Sequence, residues 1–450
     1  MKNIINAVLY LIAGLVIFLN LGLSQSDVDA YRLSYSGLGF GTRSLGLGTA
    51  YSAISNDFSA VYWNPAGLGQ IRSNEVSFGL SHLSFDNTST LFGEKESFSN
   101  SGTKLNSFGL IYPFPVTRGN LVFAIGYGRQ SEFTGAIAIK GFNFQTNNIE
   151  YPDNIDVQGN ILKNGGLNNW IVAGAMEAVK NLFVGLSLNF ISGSYTYNRD
   201  YSELDIKNKY PIEEYVQKYT IDEDIGGFTA KAGMLYEFRN HNGRVGINIK
   251  FPSYLSVKHN YTNDEMEFYD SGAESLYQNT GIPEFNLTSP FVFSAGISYA
   301  FGDLLLSGDV DFTDWTQMEF SDPTDPDMLN DNTLIKERFK STVNVRLGTE
   351  YAVPNTDLRL RAGFAYLPSP YIIDSSPNAQ KFITGGLGWI IEDAVRIDLG
   401  YAYGFWNTDD GISHAITNYH NTTSNVIDVF VPIEEKVHTN TIMGTVSYRF

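Results

Sequence analysis

Cysteine is absent from all 450 residues. That absence removes disulfides, zinc–thiolate sites, thiol nucleophiles and a lipid-bearing N-terminal cysteine together. Positive charge is scarce as well: 30 basic side chains stand against 48 acidic ones, a formal net charge of −18. A nucleic-acid binder needs clustered Lys and Arg to neutralise phosphates, so that partner class is excluded. Long apolar runs are missing except for one at the N-terminus, which rules out a multi-span helical membrane protein. The six histidines (His82, His241, His259, His414, His420, His438) show no H-E-x-x-H and no metal-ligand spacing, and no G-x-S-x-G elbow occurs. Neither a metal, a cofactor nor a catalytic residue is therefore expected, although an enzyme site assembled from separate strands would leave no such motif.

What the chain has in quantity is aromatic side chains and glycine: 27 Tyr, 31 Phe, 5 Trp and 43 Gly. With only 17% charged residues, that composition argues against a disordered acidic protein. The length suggests about three globular domains, yet single β-barrels exceed that guideline routinely. The N-terminal apolar run reads as an address: Lys2, then thirteen apolar residues from Ala7 to Leu19, then small residues at Gly22, Ser24 and Ser26. This is the layout of a secretory signal peptide over residues 1–25. A retained signal anchor is the alternative.

From residue 74 onward, one pattern repeats: alternation at period two for about ten residues, then a break. Phe291, Phe293, Ala295, Ile297, Tyr299 and Phe301 share one face, opposite Ser294, Gly296, Ser298 and Ala300. Val395, Ile397, Leu399, Tyr401, Tyr403 and Phe405 alternate with Arg396, Asp398, Gly400, Ala402 and Gly404. In each clear segment, every charge falls on one face. A Lys or Arg facing lipid at mid-bilayer costs about 2–4 kcal/mol, so a membrane barrel requires such one-sided exclusion.

A soluble sandwich also alternates, and the connections decide between the two. Fourteen strands are expected near 74–86, 104–112, 120–130, 168–178, 181–196, 227–239, 243–258, 289–301, 303–314, 341–352, 356–367, 381–391, 394–406 and 439–450. Breaks after even strands are short and the others are long. This is the outer-membrane arrangement of short periplasmic turns and long extracellular loops. The chain closes on an aromatic-ended strand through Tyr448 to Phe450, which resembles the signal read by the outer-membrane assembly machinery. The expected fold is an all-β, fourteen-stranded antiparallel transmembrane barrel over 74–450, multi-pass in a Gram-negative outer membrane.

Residues 26–73 do not alternate. They are rich in glycine but match neither G-x-G-x-x-G nor the Walker spacing, so a compact plug is the better expectation. Its stretch Tyr62-Trp63-Asn64-Pro65-Ala66-Gly67-Leu68 resembles the hatch of the FadL family of outer-membrane hydrophobic-compound channels, including TodX-type members. Residues 339–371, 243–260 and the Asp311 to Trp315 stretch resemble the same family, so the likeness spans nearly the whole mature chain. The resemblance implies a barrel closed by an N-terminal hatch that includes Trp63, Asn64, Pro65, Ala66 and Gly67. It implies passive uptake of hydrophobic small molecules such as long-chain fatty acids, released sideways into outer-membrane lipid at a kinked third strand. On that strand Gly126 and Gly128 are the lateral-opening candidates; as residues, they read equally well as small side chains facing a crowded lumen. Arg346, Arg359 and Arg361 are substrate-binding candidates, because a guanidinium fork suits a carboxylate. An ionic ladder with Asp309, Asp311, Glu350 and Asp398 is the competing reading. Asp322, Asp325, Asp327 and Asp331 read as a solvated acidic loop, since the EF-hand order is missing. The alternative function is a FadL-like barrel holding protein partners in a secretion or surface assembly.

Overall fold

Period-two alternation becomes strand along almost the whole chain. The computed structural model describes residues 26–143, 154–239, 241–408, 412–415, 428–431 and 433–450. The signal peptide expected over 1–25 lies outside them. Fourteen strands form one antiparallel sheet that closes on itself. β1 (Glu75–Leu91) and β2 (Glu94–Phe114) form a hairpin, and β3 runs in two pieces, Leu121–Glu132 and Gly135–Phe142. β4 (Ile155–Val179), β5 (Leu182–Asp205) and β6 (Ile212–Glu237) follow. β7 (Gly243–Lys250, then Tyr254–Tyr269) and β8 (Glu284–Thr288, then Val292–Phe301) are interrupted. The series ends with β9 (Leu304–Asp314), β10 (Ser341–Ala352), β11 (Leu358–Leu367), β12 (Gln380–Ile391), β13 (Val395–Thr408) and β14 (Glu434–Arg449). β14 pairs with β13 on one side and with β1 on the other, Glu75 opposite Arg449, which closes the barrel. No described helix is long and apolar enough to cross a membrane; the crossing elements are strands.

The two faces sort as a barrel in lipid demands. Phe293, Ile297 and Phe301 are exposed on β8 while Gly296 and Ser298 are buried; Leu399 and Tyr401 are exposed on β13 while Asp398 and Ala402 are buried. The short turns use left-handed backbone where they are tightest. Glu392 and Asp393 both have positive φ (50° and 57°), as the two central positions of a type I′ turn do, and the Ala394 N–H closes that turn on the Ile391 carbonyl.

Several segments expected as long loops are strand instead. β4, β5 and β6 have 25, 24 and 26 residues, far more than the 9–11 or so that cross a bilayer. The expected strands stop where alternation stops, and alternation stops where lipid no longer faces the outer side. Beyond that level both faces of the wall meet water, so polar residues occupy both.

The N-terminal segment carries α1 (Ser26–Ser34), α2 (Thr42–Gly46), α3 (Ala60–Trp63) and a 3-10 turn over Pro65–Gln70. α2 packs against β11 to β14, and the 3-10 turn against β3 to β6. A segment this short reaches both groups of strands only from the lumen side. Short Gly-rich turns allow it, because chain must lie almost directly on chain: a Cβ on Gly363 of β11 would sit 2.1 Å from the Gly48 nitrogen.

Candidate functional site

The lumen has a floor, a cavity above it, and a place where the wall is incompletely zipped. The floor is built by the N-terminal segment. Asn64 is fully buried, and its carboxamide works in two directions. Its Oδ1 accepts from the Ala66 N–H (3.1 Å) and caps the turn that Pro65 begins. Its Nδ2 donates to the Ser52 carbonyl within the segment (2.9 Å) and to the Met234 carbonyl of β6 (3.1 Å). The wall makes room for it: a Cβ on Gly233 would lie 2.0 Å from that Oδ1. Trp63 donates its indole N–H to the Phe40 carbonyl (3.0 Å) and lies edge-on to Tyr62. Pro65, Ala66 and Gly67 are buried beneath it in the same turn.

Charges fasten this floor to the wall. Asp309 of β9 accepts from the Tyr51 and Ser52 backbone N–H groups (2.8 and 2.7 Å). Glu350 of β10 takes a two-point contact from Arg43 of α2, 2.9 Å at each oxygen. The same carboxylate accepts from Arg361 at 2.6 Å and from Arg359 at 3.4 Å. Arg361 also reaches Asp398 of β13 at 2.6 Å, and Arg346 pairs with Asp311 while facing the Trp63 ring. The three arginines expected as ligand candidates thus meet carboxylates of the wall, and Arg43, which sequence reasoning did not single out, joins them to the floor. No spacing in the sequence signals Arg43, because its partner is 307 residues away.

Above the floor lies a cavity of about 1390 Å³. Phe85, Phe133, Ile137 and Ile161 line it together with Tyr195, Tyr219 and Tyr261. α1 reaches into this space and is held by its Arg32. That guanidinium binds Asp29 and Glu223 of β6 (2.8 Å each) and stacks 3.7 Å over the Tyr195 ring. His259 of β7 meets the same Glu223 at 2.9 Å, and Arg338 of the loop helix α4 (Asp331–Arg338) pairs with Asp27. Burial pushes the Asp29 carboxyl above its ordinary range, against the opposing pull of Arg32.

The wall changes between β2 and β3. Their ladder runs from Phe114 opposite Leu121 to Ser107 opposite Gly128 and ends there. β3 shifts register against β4 between Arg129 and Ser131, breaks at 133–134, and continues inward. The inward piece lies over the lumen face of β1, where Asn87 donates to the Ala136 carbonyl (3.0 Å) and Ser89 to that of Ala138. Gly126 lies within the paired ladder and Gly128 is its last pair. Both accommodate rings of the floor: a Cβ on Gly126 would lie 2.5 Å from Phe58, and one on Gly128 2.2 Å from Phe40. Asn106, bulged where β1 shifts register, stands beside this end and accepts from the Gly41 N–H at 3.4 Å.

The acidic loop residues Asp322 to Asp331 bring no metal cluster together among the described residues.

The model of a family described as outer membrane protein transport protein (OMPP1/FadL/TodX) matches residues 41–450. No curated protein sequence matches the chain. Among solved structures, the toluene transporter TodX of P. putida aligns at TM-score 0.62 and 16% identity, covering 92% of this chain and 99% of its own. A Pseudomonas aeruginosa FadL homologue aligns at 0.60 and 12%, covering 93% and 100%. The Ralstonia pickettii toluene transporter TbuX aligns at 0.55 and 15%, covering 92% and 99%. At such identities the likeness is one of fold.

Proposed function

We propose a substrate and a route from one premise: the chain belongs to the OMPP1/FadL/TodX family of outer membrane transport proteins. It is a multi-pass β-barrel of the Gram-negative outer membrane. The reading is passive uptake of long-chain fatty acids or comparably long hydrophobic molecules, released sideways into the membrane between β2 and β3. The observation that carries it is the cavity of about 1390 Å³, tyrosine-rich and lined by more apolar than polar surface, whose lining continues through Asn106 and Arg129 to Gly135 at the unpaired stretch of wall. That volume exceeds the roughly 300–1,000 Å³ typical of small-molecule sites, which favours a long chain over a single aromatic ring. TodX and TbuX are toluene transporters, and a monoaromatic hydrocarbon is the competing substrate.

In this reading residues 26–73 form the hatch and 74–450 the barrel. Asn64, with Trp63, Pro65, Ala66 and Gly67 around it, keys the hatch into the wall and closes the straight route to the periplasm. Arg361 and Arg346 staple neighbouring wall strands through their carboxylates, and Arg43 fastens the hatch to them through Glu350; Arg359, the most exposed of the three and the most loosely paired at 3.4 Å, is the one left for a substrate carboxylate.

The test is uptake of labelled palmitate, hexadecane and toluene by a deletion strain and its complemented parent. Loss of palmitate uptake in the deletion strain supports the reading, and loss of toluene uptake alone moves the substrate to monoaromatics. Normal uptake of all three removes transport, and the partner-binding barrel takes its place.

A further inference from the structure

The edge of β2 poses a physical question. Its other edge pairs with β1 along its length, out to Glu94 opposite Leu91. Toward β3 it is paired only from Ser107 to Phe114, so residues 94–106 present an unpaired row of backbone donors and acceptors. Such an edge is normally covered, because unpaired strand edges template further pairing. Here it borders an opening. The Ser107–Gly128 pair forms the sill, and residues 101–106 and 129–134 form the two sides. At about 3.3 Å per residue the sides are roughly 20 Å long. The sill lies near Leu105 and Trp170, exposed apolar side chains at the outer end of the lipid-facing belt on β2 and β4.

Asn100 makes the hydrogen-bonded crossing near the top. Asn100 of β2 donates its amide to Asn164 Oδ1 (3.0 Å) and to the Lys163 carbonyl of β4 (3.2 Å), with the Gly135 carbonyl of β3 at 3.4 Å. Farther out, Glu96 and Lys140 approach to 3.6 Å, but both are about half exposed and such pairs hold weakly. The wall therefore changes in kind across this opening. Below the sill it is a backbone ladder, which parts only by breaking several bonds together. Above it, one carboxamide shared among three acceptors can let go alone.

We propose that Asn100 is the catch of a lateral gate, and that its amide must release Asn164, Lys163 and Gly135 before a long hydrophobic ligand passes from the cavity into the outer leaflet. The inference rests on the lateral route proposed above and names the residue that governs it. It follows that the catch limits bulky ligands more than slender ones, because a branched molecule needs the sides farther apart.

The absence of native cysteine makes a clean test. Asn100→Cys with Asn164→Cys, joined directly or by a short thiol–thiol cross-linker, locks the top of the opening. Uptake of labelled palmitate is measured in a host lacking its own fatty-acid channel, with barrel amount and heat-modifiable gel migration as controls. The locked protein should lose at least tenfold in initial rate and recover on reduction. Asn100→Asp, which turns a carboxylate toward three acceptor oxygens, should raise the rate, and more for a branched alkane than for a straight one. If the double variant does not insert, Glu96→Cys with Lys140→Cys provides a second lock. A locked barrel that transports as fast as the reduced one overturns the catch while leaving transport intact. A reduced barrel that transports nothing where wild type does not either refutes the transport reading itself.

Discussion

The two halves of the lumen are built by opposite rules. In the inner half, chain lies on chain: Gly363 and Gly233 clear space for the backbone of residue 48 and for Asn64, and Glu350 gathers Arg43, Arg359 and Arg361. In the outer half the same barrel stands open around a cavity of about 1390 Å³, and its visitor, α1, is held chiefly through Arg32 and Asp27. The difference teaches where each half can change. A buried charge cluster opposes movement because losing one partner strands the others in low dielectric. A tyrosine-lined space with one anchored helix can admit a ligand at modest cost.

Erasing the inner half should have the largest effect. A barrel lacking residues 27–67 should insert and conduct ions in planar bilayers as a wide, unselective pore; wild-type conductance from that variant would mean that the lumen is closed by something else. Next comes the charge that joins the halves of this interface. Glu350→Ala leaves Arg43 and Arg361 buried without their shared carboxylate, a loss of about 3–5 kcal/mol. The check is the temperature at which the folded band disappears from SDS gels, which should fall sharply; an unchanged temperature would assign the cluster no structural weight.

A smaller effect tests packing rather than charge. Gly128→Val drives a branched side chain into Phe40, an overpacking cost of about 1–3 kcal/mol. Labelling of a cysteine placed at Ser36 should become faster as the segment loosens. Equal labelling rates would show that the wall, not the floor, yields. The smallest effect is expected in the outer half. Glu223→Gln keeps one acceptor for Arg32 but removes the charge from a two-point contact (3.0 and 2.8 Å), a loss of about 1.5 kcal/mol at the low end for hydrogen bonds to a charged group, while Asp29 and the Tyr195 ring remain. Hydrogen exchange should rise over α1 alone, and a rise that spreads to α2 would couple the two halves.

Much of this was legible beforehand, for a physical reason. All fourteen expected strands are present, and Asp309, Asp311, Arg346, Glu350, Arg361 and Asp398 are buried as the alternation placed them. Where lipid faces the outside, a charge there is so costly that the pattern survives in any sequence that inserts. Above the membrane that constraint vanishes, and there the reading of β4, β5 and β6 as ending in long loops was wrong. At the site, the Trp63 to Gly67 stretch is visible as a motif, whereas Arg43 is a lone charge in a glycine-rich run and Asn100 looks like any other polar residue in a polar stretch.

The sequence by itself thus determined the class of fold, the number of membrane crossings and the face each residue shows, because the bilayer imposes those locally, one strand at a time. Only the tertiary structure decided which carboxylate meets Arg43, which glycines admit Phe40 and Phe58, and where the ladder between β2 and β3 stops. Those depend on closure of the barrel, which brings residues 307 apart into a two-point contact of 2.9 Å. No local pattern encodes a contact whose two sides are placed by the register of every strand between them.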